Sequence, residues 1–99
     1  MSKMKTLYLV CYDVTDKKRL NKIFQEMNGF GDHVQYSVFI CRLTAKEKVL
    51  LNHTINKILN IREDKALIVN LGLDNKNSRK RIEQIGINFI LKDESSFVI

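Results

Sequence analysis

Strand-like and helix-like segments alternate along this chain, and their order restricts its fold more than any other feature of the sequence. Leu7 to Val14 is short and rich in β-branched and aromatic residues, which is typical of a strand buried on both faces. Thr15 and Asp16 are capping residues, and the apolar residues after them recur at helical spacing: Leu20, Ile23, Phe24 and Met27. The segment therefore predicts a strand followed by an amphipathic helix, which ends at Asn28-Gly29.

The middle of the chain, Val34 to Leu43, alternates between two sets of side chains and is extended. A fold with two strands between its helices needs a break in this region. The break falls either near Tyr36-Ser37 or further back, if the first strand uses the segment from Phe30 to His33. Periodicity does not place it, so both positions stay open.

The second half of the chain carries the clearest helix signal. Thr44 to Glu47 is a capping box, and apolar residues at helical spacing continue the helix to about Asn60. Lys65 to Leu71 predicts another buried strand. The polar loop from Gly72 to Asn77 then leads to a short helix from Ser78 to Ile85.

The last residues are apolar and extended in two places, Asn88 to Leu91 and Ser96 to Ile99. A monomer of this size has little core left to cover them, so we expect residues 87–99 to form a strand and tail that pack on a dimer partner. The order β-α-β-β-α-β plus this strand predicts an α+β sandwich of the ferredoxin-like type, with both helices on one face of the sheet. The other face of the sheet then needs a cover.

The composition indicates one domain, 1–99, because no repeat, low-complexity tract or linker divides the chain. No stretch approaches the roughly 20 apolar residues of a membrane span, and we identify no export signal. Cys11 and Cys41 lie in apolar segments without metal-type spacing, which favours reduced core residues and a cytoplasmic protein. The 17 basic and 11 acidic residues give a net charge of +6. This charge favours an anionic partner, nucleic acid first, and a merely solvated basic surface is the alternative.

Two of the predicted helices begin with cationic side chains. Residues 17–19 begin the first helix, and residues 79–81 begin the short late helix, although helix N-termini prefer anions. Phosphates would offset this charge by binding the side chains and the backbone N–H groups together. The alternative is that nearby carboxylates, such as Asp16, Asp74 or Glu83, neutralise the cations. The candidate contacts to nucleic acid are Lys17, Lys18, Arg19, Lys22, His33, Arg79, Lys80 and Arg81.

Asp13 is the only acid in the first predicted strand and stands at its carboxyl end, where ligands commonly collect. Mg²⁺ needs only one or two protein carboxylates, so one Asp13 from each chain of a two-fold dimer would suffice. The alternative is that Asp13 caps the turn from Thr15 to Lys18. Among the other common catalytic motifs, the sequence contains neither a phosphate-binding glycine loop nor a metalloprotease motif.

Several motifs together resemble the second CRISPR-associated protein family (Cas-two). They are LVCYDVTD at Leu9 to Asp16, the basic pair Lys18-Arg19, VQYSVF at Val34 to Phe39, and the segment from Cys41 to Leu43. The resemblance spans nearly the whole chain. It implies a ferredoxin-like protomer, a symmetric dimer joined through the sheet faces, and a C-terminal strand added to the sheet of the partner.

The resemblance also implies a role in CRISPR adaptation, in which the dimer sits between two dimers of the Cas-one integrase and holds duplex DNA. Many family members are described as Mg²⁺-dependent endonucleases on RNA or double-stranded DNA. The resemblance then makes Asp13 the metal ligand, with Tyr12, Ser37 and Phe39 as neighbours in a catalytic site. Leu20 and His33 stand where the family often has basic residues, which argues against strong nuclease activity. A stand-alone toxin-type ribonuclease and a non-catalytic interaction module of the same fold are the alternatives.

Overall fold

The structure, a computed structural model, describes residues 4–86. Four antiparallel strands form one sheet in the order β2-β3-β1-β4, and helices α1 and α2 pack on one face of it. This arrangement confirms the ferredoxin-like α+β fold. The proposed strand and tail at residues 87–99 lie outside the described residues. In chain order the elements are β1 Thr6–Asp13, α1 Lys17–Met27, β2 Gly31–Gln35, β3 Val38–Leu43, α2 Ala45–Ile58, β4 Lys65–Leu73 and α3 Lys76–Arg79.

Both long helices begin where the capping residues predicted. The Asp16 side chain accepts a hydrogen bond from the Arg19 backbone N–H at 2.9 Å, which caps α1. At the start of α2, Glu47 N–H donates to the Thr44 hydroxyl at 3.2 Å, and Thr44 N–H donates to the Glu47 carboxylate at 2.8 Å. These reciprocal bonds confirm the capping box.

The chain between the helices uses both of the positions that the sequence left open. It turns at Tyr36-Ser37, and β2 begins at Gly31, so the first strand takes in residues from the segment before Val34. Gly31 is needed there because a Cβ atom would overlap the Ile40 carbonyl oxygen and the Cys41 sulfur. The two strands can therefore approach closely at this point.

The main core lies between the sheet and the two helices. Its buried members come from β1, β3 and both helices: Val10, Tyr12, Val14, Ile23, Met27, Phe39, Cys41, Leu43, Leu51 and Ile55. Burial raises the pKa of the Cys41 thiol to about 12, so this side chain stays neutral and packs as a small apolar group. Both cysteines are free thiols, Cys41 buried in this core and Cys11 partly exposed.

The prediction that β4 is a buried strand is wrong. Leu67 is 59% exposed and Val69 is 38% exposed. The cause is that β4 lies at the edge of the sheet and the helices cover only one of its faces. We use the name open sheet face for the face opposite the helices, which carries Leu9 and Cys11 of β1 beside Val69 and Leu67 of β4.

The short late helix begins earlier than predicted. The Asn75 side chain accepts from the Ser78 backbone N–H at 3.0 Å, so it caps α3 and the helix covers Lys76–Arg79 instead of starting at Ser78. Arg79 and Lys80 consequently lie at its carboxyl end, where cations are favourable. The prediction that residues 79–81 open a helix is wrong.

No helix within residues 4–86 is long and apolar enough to cross a membrane.

Candidate nucleic-acid site

Asp13 ends β1 as an exposed residue, and its Cα pairs in register with that of Lys65 at the start of β4. The alternation along β1 places Asp13 on the open sheet face with Cys11. A concavity of about 310 Å³ at this edge is lined by Cys11, Tyr12, Asp13, Lys65, Ala66 and Leu67. The capping role considered for Asp13 is filled by Asp16, and no residue within 4–86 forms a hydrogen bond or ion pair with the Asp13 carboxylate.

Tyr12, Ser37 and Phe39 are brought together, but on the other face of the sheet. The Tyr12 backbone N–H donates to the Ser37 carbonyl at 3.1 Å, and the rings of Tyr12 and Phe39 stack with centroids 6.2 Å apart. Burial raises the pKa of Tyr12, although a hydrogen bond with the Ser37 side chain acts in the opposite direction. These residues tie the end of β1 to the turn between β2 and β3, and so they fix the strand end that presents Asp13.

The cations at the start of α1 differ in whether acidic side chains neutralise them. Lys17 and Lys18 are exposed, and no acidic residue lies in the first helical turn with them. Arg19 instead donates from Nε to the Asp64 carboxylate at 2.7 Å and from Nη2 to the Glu63 carboxylate at 2.9 Å. These carboxylates raise the pKa of Arg19. Neutralisation by acids therefore holds for Arg19, whereas Lys17 and Lys18 are exposed and form no ion pair within residues 4–86.

The second predicted basic cluster lies at the opposite end of the sheet, because β4 runs antiparallel to β1 and residues 79–81 follow its far end. Arg79 is only 8% exposed, and its Nε donates to the Asp74 carboxylate at 2.9 Å. Arg81 donates from Nη1 to the Leu71 carbonyl at 2.5 Å. Lys80 is exposed. Within one chain the two clusters therefore do not form one patch, and Asp74 neutralises Arg79 as the alternative proposed.

His33 packs against aromatic rings beside the turn between β2 and β3. Its Nε2 lies 2.6 Å from the Tyr36 carbonyl oxygen, which it meets as an N–H donor. The Phe24 ring meets the imidazole edge-on at 4.9 Å, and Phe39 lies 5.0 Å away. These contacts assign His33 a role in holding the turn.

Asp64 is the residue of this region that the sequence interpretation missed. Its side chain has 0% exposure and accepts from the backbone N–H groups of Thr15 at 3.1 Å and Asn60 at 2.9 Å, besides the Arg19 guanidinium. The Arg19 hydrogen bond is the main cause that holds the pKa of Asp64 well below its usual range. Asp64 thus joins the loop after Asp13 to the loop before β4. Its only sequence signal is an acid placed between a helix end and a strand.

Comparison with known proteins decides the family. The family model described as CRISPR associated protein Cas2 matches residues 4–82 of this chain. The chain belongs to the Cas2 family. This is the second CRISPR-associated family that its motifs resemble.

Curated Cas2 proteins are similar over most of their length. A protein named CRISPR-associated endoribonuclease Cas2 from Geobacter sulfurreducens is 38% identical over 86 residues, which cover 87% of this chain and 90% of the relative. A second, named CRISPR-associated endoribonuclease Cas2 2, from Thermodesulfovibrio yellowstonii, is 45% identical over 65 residues, covering 66% of this chain and 71% of the relative.

Solved structures agree with the family assignment. Cas2 from Streptococcus pyogenes superposes with a TM-score of 0.69 at 32% identity, covering 81% of this chain and 99% of that one. A chain in a structure described as a partial Cas6-RT-Cas1–Cas2 complex superposes with a TM-score of 0.65 at 30% identity, covering 81% of this chain and 90% of that one.

Asp13 fits the Mg²⁺ ligand that the motif resemblance implies only as a single carboxylate. Within residues 4–86 no group of three or more His, Cys, Asp or Glu side chains could hold a metal ion. Mg²⁺ keeps several waters and needs one or two carboxylates, which an exposed and unpaired Asp13 satisfies in part. A further anionic oxygen ligand would come from Asp13 of a second copy of the chain or from a phosphate of the nucleic acid.

Proposed function

We propose that this Cas2 chain is a cytoplasmic CRISPR adaptation protein whose homodimer holds duplex DNA for the Cas1 integrase. Lys17 and Lys18 carry the proposal, because they present two exposed cations without an ion pair at the start of α1, where the helix dipole also favours anions. That arrangement binds phosphates without reading bases. The similarity to a chain in a Cas1–Cas2 complex supports Cas1 as the partner.

A second candidate function is Mg²⁺-dependent endonuclease activity on RNA or double-stranded DNA, and the exposed carboxylate of Asp13 favours it. When bound, Mg²⁺ would neutralise charge on a phosphodiester. Asp13 would hold the ion on the open sheet face, and Lys17 and Lys18 would hold the neighbouring phosphates. The name endoribonuclease on the curated relatives supports this candidate.

The open sheet face supports the proposed homodimer. Leu67 and Val69 expose apolar side chains next to Leu9 and Cys11, and contiguous apolar surface of this kind marks an interaction site. A second copy packed on this face would bury it and bring two Asp13 carboxylates to one interface. The tail at residues 87–99 would then pack on the partner.

Leu67→Asp is expected to convert a dimer to a monomer, because it places a charge in the centre of the buried apolar contact. Analytical ultracentrifugation at micromolar concentration measures the change. Ile61→Asp is the matched control, since Ile61 is 84% exposed in the loop before β4 and away from the open sheet face. A Leu67→Asp protein that sediments like wild type would contradict the sheet-face dimer.

Reversing the charge of Lys17 and Lys18 to Glu is expected to weaken duplex binding and to flatten its salt dependence by about 0.9 log–log units per lost phosphate contact. Arg19 is left intact because its guanidinium is bound to Asp64. The same change of net charge at the other end of the sheet, Lys46→Glu with Lys76→Glu, is the control. Fluorescence anisotropy across a salt series measures both, and equal slopes in wild type and the Lys17/Lys18 variant would contradict the proposal.

A spacer-acquisition assay separates the two candidate functions. Loss of acquisition only in the Lys17/Lys18 reversal supports a DNA scaffold. Loss in Asp13→Asn with retained DNA binding assigns chemistry to the protein. Full acquisition in both variants would contradict the adaptation proposal.

A further inference from the structure

A groove of about 520 Å³ runs between α1 and α2 on the outer surface of the helical layer. Both apolar and charged side chains line it. The lining residues are Lys18, Arg19, Lys22, Glu26, Leu50, His53, Thr54, Lys57 and Ile58.

Each helix places two basic side chains one turn apart along this groove. Lys18 and Lys22 are four residues apart on α1, and His53 and Lys57 are four residues apart on α2. Positions i and i+4 lie about 5–6 Å apart on a helix, and like charges at this spacing repel. Lys18 and Lys22 form such a pair, and Lys57 of α2 lines the same groove, so an anion bound between the helices would offset their repulsion.

The acids around the groove do not cancel this charge. Glu26 lies 3.8 Å from Lys22 Nζ, which is a weak and exposed pair. Glu63 and Asp64 accept hydrogen bonds from the Arg19 guanidinium. Within residues 4–86, Lys18 and Lys57 form no ion pair with a carboxylate.

We propose that this groove binds the sugar-phosphate backbone of the nucleic acid, with His53 and Lys57 of α2 as further contacts. The inference rests on the proposed function, and it extends that site from the start of α1 onto α2. Lys18 belongs to both surfaces, so the path of positive charge continues from one to the other. The apolar side chains of Leu50 and Ile58 would contact sugars, while the basic side chains would contact phosphates.

This path differs from the one that sequence reasoning suggested. The cluster at residues 79–81 lies at the far end of the sheet and Arg79 is bound to Asp74, whereas His53 and Lys57 lie opposite Lys18 and Lys22. We therefore place the bound strand along the helical layer of each protomer.

Lys57→Gln is expected to lower the salt slope of duplex binding by about 0.9 log–log units, which is the loss of one phosphate contact. Lys57→Arg keeps the charge and is expected to retain the wild-type slope. Lys46→Gln is the matched control, because Lys46 is an exposed lysine at the other end of α2. The probe is a fluorescent 30-base-pair DNA of mixed sequence, measured with the full chain over a salt series.

The outcomes separate this inference from the proposed function. No measurable binding by wild type at low salt would overturn both. A wild-type slope in Lys57→Gln, with a reduced slope in the Lys17/Lys18 reversal, would overturn only the groove. If Lys57→Gln left DNA binding unchanged but weakened binding to purified Cas1, the groove would be a protein contact and the inference would be wrong.

Discussion

Asp13→Asn is expected to lower Mg²⁺-dependent cleavage of RNA or duplex DNA by about 100-fold or more, while the fold and the affinity for DNA stay nearly intact. An amide oxygen carries no net charge, so it is a poor replacement for a carboxylate on a hard cation. The fold is spared because Asp13 is exposed and its carboxylate has no partner within residues 4–86.

Asp16→Asn is the matched control for this experiment. It removes the same charge three residues away, and Asn caps a helix as well as Asp does, so α1 keeps its cap. Cleavage is measured over a Mg²⁺ titration with both variants and wild type. Cleavage by Asp13→Asn at the wild-type rate would show that another group holds the ion, and would reject the assignment of Asp13.

The parts of the fold that the sequence predicted correctly depend on neighbours along the chain. The caps at Asp16 and Thr44 are made by residues three positions apart, so local patterns reveal them, whereas periodicity alone did not choose between the two possible breaks before Leu43. The exposure of β4 depends on which strand forms the edge of the sheet, and its apolar residues are equally compatible with a buried strand. The start of α3 was misplaced because the cap at Asn75 was not recognised.

In the candidate site, too, the sequence predicts what depends on neighbouring residues and misses what depends on distant contacts. Asp13 is predicted because it is an acid at a strand end, and the structure places it there as an exposed residue, while its role stays a prediction. Tyr12 is its neighbour in the chain but points into the helical layer, since adjacent residues of a strand face opposite sides. The partner of Arg19 lies 45 residues away at Asp64, and no pattern of charge or hydrophobicity joins the two.

Asp64→Ala is expected to lower the melting temperature by on the order of 10 °C. The substitution leaves two backbone N–H groups, those of Thr15 and Asn60, without their carboxylate acceptor, and it removes the partner of the Arg19 guanidinium. Glu63→Ala is the matched control, since the Glu63 side chain is 56% exposed and holds only the outer edge of the same guanidinium. Thermal unfolding followed by circular dichroism measures both. Equal shifts in the two variants would contradict a dominant role for Asp64.

The same contact predicts how stability changes in acid. The folded-state pKa of Asp64 lies below the ordinary carboxyl value of about 3.9, so its stabilisation is complete above that pH. The stabilisation is lost as the pH falls from about 4 through the folded-state pKa, because protonation then ends the charged contact with Arg19. Asp64→Asn has no carboxylate to protonate, so its melting temperature should fall less than that of wild type between pH 5 and pH 2. Parallel curves for the two proteins would mean that other carboxylates govern acid unfolding.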